Sequence, residues 1–388
     1  MIRPPKVSDA GQWMVCHGSV KAQQDFPAPA GEISESKLEG RAIHEAAQSM
    51  LLALKGDPDA PLTNIVGTLS KDGITITREL YDAAREYVNE VWGYANRRGK
   101  FKDVQVEKSA SLSHIIPDWF TIIDAYLVDR DRKVITVWEC KGGHRCVEAE
   151  DNWQLFLECH AVFHELTMGE MGSWLDWSFD LRVVQPRCFH SVGTLRPWTF
   201  NHETYVANLT KVTETVHGIA NGDVTTCAWS HCRGCSAGVQ CVSFTYASFS
   251  AMEYAKSLTV NTPNDMQLGV QLKMIRKVKE MLDIRATALE EQVLHRMRSG
   301  NVVPFFNMVQ GKGRETWRKD VPVDQLIMMG DLMGVDIRKP VTIDTPAQCR
   351  KKGIDELVIA EYIETPSTGL KLVEVDDSTA RNVFTRGL

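Results

Sequence analysis

Asp124 sits in Ile122-Ile123-Asp124-Ala125-Tyr126. A short polar stretch later comes Val137-Trp138-Glu139-Cys140-Lys141, so two carboxylates and a lysine lie on what read as neighbouring strands. Glu139 and Lys141 are two residues apart and therefore project from the same face of an extended chain. Paired carboxylates offer the hard oxygen ligands that Mg²⁺ or Mn²⁺ prefers, and such a cation offsets charge developing on a phosphate. A lysine beside them can orient or deprotonate an attacking water and stabilise the transition state. Together these are the requirements of phosphodiester hydrolysis. Such triplets also arise by chance at strand ends, so their weight depends on what flanks them. Pro117-Asp118 offers a second candidate for the first acid; Asp124 is preferred because its strand runs directly into the turn that leads to Glu139. Gly142-Gly143 follows at once and would let a phosphate backbone approach closely.

The second group with chemical potential is thiol. Of ten cysteines, Cys227, Cys232, Cys235 and Cys241 crowd together, the last three with the spacing C-x2-C-x5-C, while Cys16 stands alone near the start. In an intracellular chain such crowding points to metal rather than to disulfides. Cys140, Cys146, Cys159, Cys188 and Cys349 are scattered and read as ordinary buried free thiols. A local zinc site on Cys227, Cys232, Cys235 and Cys241 would account for the cluster.

These residues need a scaffold. Residues 36–54 carry Leu38, Ile43, Ala46, Ala47 and Met50 at helical spacing, and residues 77–96 do the same with Leu80, Tyr81, Ala84, Val88 and Val91. The pattern then turns extended. Residues 118–128 and 133–140 are rich in Ile, Val, Tyr and Trp, and the polar turn between them predicts an antiparallel hairpin. A helix is expected over 150–166, a strand over 177–185 ended by Pro186, a helix over 201–219 and a long helix over about 266–298. This order predicts an α/β chain in two parts: residues 1–260, with a mixed sheet flanked by helices, and an accessory segment 261–388. Within that segment Arg314, Trp317 and Arg318 are locally basic and aromatic, which suits contact with an unpaired DNA strand.

Composition narrows the classes. A hydrophobic content of 43% suffices for a sizeable core, and the formal net charge is −6. A protein that coats nucleic acid broadly would be basic, so any nucleic acid must be held by a local groove or through bound cations. No apolar run approaches the length of a membrane span, and the start lacks a signal-peptide core, so a cytoplasmic protein without membrane contact is expected.

The flanking residues carry a resemblance. Gly40-Arg41-Ala42-Ile43-His44 resembles the G-x-x-x-H element of RecB-like nucleases, and Gln154-Leu155 resembles their Q-L element. With Asp124, Glu139 and Lys141 between them, the chain looks like a member of the PD-(D/E)xK superfamily. That resemblance implies a restriction-endonuclease-like core and an Mg²⁺- or Mn²⁺-dependent deoxyribonuclease. It places the cation on His44, Asp124 and Glu139, with Lys141 and Gln154 completing the catalytic set. Cys16 followed by the downstream triplet resembles the iron–sulfur staple of the AddB nuclease domain and of CRISPR-adaptation exonucleases. This implies a [4Fe–4S] cluster on Cys16, Cys232, Cys235 and Cys241, with Cys227 dispensable and the local zinc site as the competitor. Nearly end to end the chain is similar to uncharacterised phage and prophage proteins. That similarity implies an exonuclease acting on DNA ends in recombination, replication or DNA processing, beside a single-strand annealing or single-strand-binding protein. A structure-specific or nicking endonuclease and a catalytically silent DNA-binding module are the alternatives. The chain departs from the pattern in having Thr121 and Ile122 where small residues are usual, and in the extra Cys227.

Overall fold

The structure is a computed structural model that describes residues 3–28, 35–56, 65–169, 174–257, 264–308 and 328. Helices α1 (Ala10–Trp13), α2 (Ser19–Asp25), α3 (Glu35–Leu54) and α4 (Arg78–Asn96) precede strands β1 (Gln105–Ser111), β2 (Phe120–Asp129) and β3 (Val134–Cys140). After α5 (Trp153–Gly169) come β4 (Ser178–Val184), β5 (Leu195–Asn201), α6 (His202–Ala220), α7 (Val242–Ser257) and α8 (Asp265–Arg298).

The expected hairpin forms. Asp129 holds its turn, its carboxylate accepting the Arg132 amide at 3.2 Å and the Arg132 guanidinium at 3.0 Å. Pairing from Asp129↔Val134 to Ala125↔Trp138 then joins β2 and β3 antiparallel. The full sheet has five strands in sequence order, β1-β2-β3-β4-β5, and only the β3–β4 pair is parallel. A parallel pair needs a crossover, and α5 provides it.

The pleat of β3 sorts its residues between two layers. Ile135 and Val137 join Phe179, Leu181 and Val183 under α5 and α6, where Phe156, Phe163 and Tyr205 pack. Trp138 and Cys140 turn the other way, with Ala125 and Leu127, to the side where Ile43, Leu51, Leu80 and Val91 of α3 and α4 are buried. The result is a mixed sheet with helices on both faces, as the order of elements predicts.

The structure adds β1, β5 and α7, none of which the residue pattern announced. Helix α8 packs Met281 and Ile284 against Phe244 and Ala251 of α7 and against Cys232, so it belongs with the elements before it. The chain divides into two compact units, Met1–Val303 and Pro304–Leu388. Cys146 and Cys188, expected as free thiols, are joined in a disulfide that links the segments following β3 and β4, with Cα atoms 5.8 Å apart. Among the described residues no helix is long and apolar enough to cross a membrane.

Gly142 serves a different purpose from the phosphate approach expected of it. A Cβ there would stand 2.9 Å from Gly40 Cα and 3.0 Å from Ile43 Cδ1, so the two glycines let the end of β3 touch α3 directly. Gly143 faces open space. Gly142→Ala is expected to lower stability by about 1–3 kcal/mol through overpacking. Gly143→Ala, with nothing within 4 Å of the added carbon, should change little. Denaturant midpoints of the two variants check this, and equal midpoints would contradict it.

Candidate active site

Beyond Ala125↔Trp138 strands β2 and β3 part, which leaves the Cys140 amide without a β2 partner. Asp124 fills that gap: its Oδ2 accepts the Cys140 N–H at 2.8 Å. Its Oδ1 faces His44 Nδ1 of α3 at 3.3 Å. Glu139 is 4% exposed and forms a close ion pair with Lys141. The Lys141 ammonium also donates to Gln154 Oε1 of α5 at 3.2 Å. The Gln154 amide in turn donates to Glu158 Oε1 at 3.0 Å. The predicted residues His44, Asp124, Glu139, Lys141 and Gln154 therefore meet at one end of the sheet, delivered by α3, the hairpin and α5. Asp118, the other candidate for the first acid, is exposed ahead of β2 with φ at 61°.

Crowded carboxylates set the electrostatics. Burial and then Asp124 push the Glu139 carboxyl above its usual range, against the pull of Lys141. Burial also opposes charge on Asp124, but His44, the Cys140 amide and Lys141 outweigh it and hold Asp124 low. On His44 burial disfavours the cation, yet Asp124 and Glu139 prevail and raise it to about 9. Lys141 is raised likewise, since Glu139 overcomes the effect of burial.

Two further carboxylates belong to the set, and the sequence reading missed both. Glu107 of β1 is raised to about 7, by burial first and then by Asp124. Its neighbours pair as Val106↔Ala125 and Lys108↔Ile123, so it stands across from Asp124. Glu158 is fully buried and pushed well above the carboxylate range by burial and by Glu139. Only Glu158 had a signal in the sequence, since it lies one helical turn after Gln154. Glu107, Asp124, Glu139 and Glu158 outnumber His44 and Lys141. His44, Glu107 and Asp124 have ligand atoms all within 4.8 Å of one another. Carboxylate and imidazole donors of this kind fit Mn²⁺ or Mg²⁺.

The second constellation also assembles. Gly18 donates its amide to the Thr225 carbonyl at 2.8 Å, and His17 Nδ1 lies 2.6 Å from Asp223 Oδ2. A Cβ on Gly18 would collide with the Val224 carbonyl oxygen, so glycine is what allows this approach. These contacts bring Cys16 to the segment after α6. Cys16, Cys227 and His231 have ligand atoms within 4.8 Å of one another, and Cys227 Sγ lies 3.6 Å from His231 Nε2. Burial raises the Cys235 thiol to about 11, and Cys232, Cys16 and Cys241 are near enough to push the same way. Cys16, Cys227 and His231 thus meet, with Cys232, Cys235 and Cys241 in the segment just after them, and thiols with an imidazole are a soft donor set that suits zinc or iron–sulfur. His231 and Cys227 both stand nearer this group than the residue spacing suggested. Arg314, Trp317 and Arg318, and with them Cys349, lie outside the described residues.

No curated protein matches the chain. Residues 6–380 match the family described as "Protein of unknown function (DUF2800)", and the chain belongs to that family.

Proposed function

We propose that this protein is a divalent-cation-dependent DNA nuclease with a PD-(D/E)xK-type site, acting from DNA ends. One observation carries the reading: Asp124, Glu139 and Lys141, named from their types and spacing, and His44 and Gln154, named from the resemblance, lie together at one end of the sheet, with Asp124 bonded to the Cys140 amide between Glu139 and Lys141. Asp124 and Glu139 would hold Mg²⁺ or Mn²⁺, with His44 beside them. The bound cation supplies Lewis-acid stabilisation of charge on the phosphate. Lys141 is paired with Glu139. Its part is to orient or deprotonate the attacking water and to meet charge developing on the phosphate oxygens. Gln154 fixes the ammonium by accepting one of its hydrogens and handing its own amide to Glu158. The acidic net charge of −6 agrees with a strand held through cations and a local path rather than on a broad basic face.

Asp124→Ala, Glu139→Ala and Lys141→Ala should each abolish Mn²⁺-dependent degradation of linear DNA while the chain stays folded. Covalently closed circles should resist the wild-type protein. Full activity of Lys141→Ala would remove this reading, and rapid linearisation of closed circles would replace the exonuclease by an endonuclease.

For the thiol group we propose a [4Fe–4S] cluster on Cys16, Cys232, Cys235 and Cys241. Cys16 is the residue that favours it over a local zinc site, because it comes from the far end of the chain to lie within 4.8 Å of Cys227 and His231, at the head of the segment that carries Cys232, Cys235 and Cys241. Such a cluster would serve as a clasp, tying the segment before the sheet to the one after α6. Protein purified without oxygen should be brown and hold about four irons per chain. Replacing Cys16, Cys232, Cys235 or Cys241 should bleach it, and Cys227→Ser should not. Stoichiometric zinc without iron, in a protein indifferent to loss of Cys16, would contradict the proposal.

A further inference from the structure

Two loops leave the site end of the sheet side by side. One begins at Lys141, after β3; the other follows β4, whose Val184 carbonyl accepts the Lys141 amide at 3.0 Å. Because β3 and β4 are parallel, both loops lie beyond the carboxyl ends of their strands, where open α/β sheets take their ligands. The two are tied firmly together. The Gln185 amide donates to the Gly143 and Arg145 carbonyls at 2.7 and 2.6 Å, and its oxygen accepts the Val147 amide at 3.0 Å. His144 Nδ1 donates to the Arg187 carbonyl at 2.9 Å, and the Cys146–Cys188 disulfide joins the loops covalently. Yet the tip so held packs against nothing. Phe189, next to Cys188, is 96% exposed, and its carbonyl lies 3.5 Å from Cys146 Sγ. A single exposed apolar residue on a loose loop needs no account, but this ring is fixed in water beside a cross-link. Arg145, next to Cys146, is exposed as well, and no ion pair answers its guanidinium among the described residues.

We infer that this cross-linked tip is a nucleotide-binding position, in which Phe189 stacks on an unpaired base at the end of a DNA strand and Arg145 holds a phosphate beside it. An aromatic face and an unanswered guanidinium are the groups that base and phosphate call for. In a chain of net charge −6 such a cation on neighbouring loops gives the strand a local hold where a broad basic face is lacking. The disulfide keeps both loops in place before the strand arrives, so little ordering is left to do on binding. Every base has a face to stack, so the tip grips without reading sequence. Its place next to Lys141 would set the end of the strand against the carboxylate group. That purpose rests on the nuclease reading; the position itself rests on Phe189, Arg145 and the cross-link.

The test is binding of a short single-stranded oligonucleotide, labelled at one end, to the full chain, read by fluorescence anisotropy without divalent cation so that nothing is cut. Phe189→Ala should weaken binding roughly five- to 150-fold, the worth of one stacked base, and Phe189→Trp should restore it. A fluorescent adenine analogue placed as the terminal base should be quenched by the wild type and by Phe189→Trp, and not by Phe189→Ala. Arg145→Ala should flatten the salt dependence of binding by about one phosphate contact. Both side chains are exposed, so each variant should unfold at the wild-type temperature, which shows it folded. Wild-type affinity in Phe189→Ala, or no quenching by the wild type, overturns the inference. Cleavage of linear DNA in Mn²⁺, measured on the same proteins, separates the two claims. DNA held through Phe189 but never cut would keep the tip and remove the nuclease. Cleavage by the wild type, with Phe189→Ala binding equally well, would do the reverse. A wild-type protein that binds no oligonucleotide would remove the tip whatever the cleavage shows.

Discussion

The Asp124 carboxylate is the point on which the site depends. It takes the Cys140 amide where β2 and β3 part, and with its other oxygen it meets His44 of α3. A backbone group that would otherwise be unpaired is satisfied by a side chain whose charge has a second use. Because Cys140 lies between Glu139 and Lys141, the same hydrogen bond sets where those two side chains emerge. The direct contact of Gly142 with Gly40 then keeps α3 close enough for His44 to reach Asp124. Local strand geometry, helix packing and the placement of chemical groups are therefore one problem with one solution.

The site is also a place where stability is given up. Glu107, Asp124, Glu139 and Glu158 lie close together in a partly or fully buried setting, and like charges there raise one another's proton affinity. His44 and Lys141 answer part of that charge but not all of it. A hard divalent cation is what such carboxylates and an imidazole would accept. The sheet beneath is built to bear the strain, with Phe156, Phe163, Phe179 and Tyr205 packed under one face and Trp138, Ile43 and Leu51 under the other.

Much of this was legible in the residues. Strand β4 and helices α3, α4, α6 and α8 fall close to their expected bounds, because each carries a strong periodicity and a clear stop. The hairpin was legible from its polar turn, and Asp124 was preferred to Asp118 because its strand runs directly into that turn. What was missed lacked local signal. Strand β1, Gln105–Ser111, is mostly polar and without an alternating apolar pattern, so only its pairing with β2 makes it a strand, and Glu107 was invisible with it. Strand β5 carries Pro197, which an edge strand tolerates but which reads as a break. Gly142 was assigned to phosphate because a sequence does not show what a glycine touches. Cys146 and Cys188 pair across 42 residues, a distance over which spacing alone says nothing.

The central claim is that this carboxylate group is a cation site, and thermal unfolding with and without Mn²⁺ tests it most directly. A ligand that binds only the folded state stabilises it by about 2.7 kcal/mol at a hundredfold excess over Kd. The account predicts that Mn²⁺ raises the unfolding temperature of the wild-type chain by several degrees and leaves that of Asp124→Ala unchanged. The same rise in both, or none in either, would contradict it.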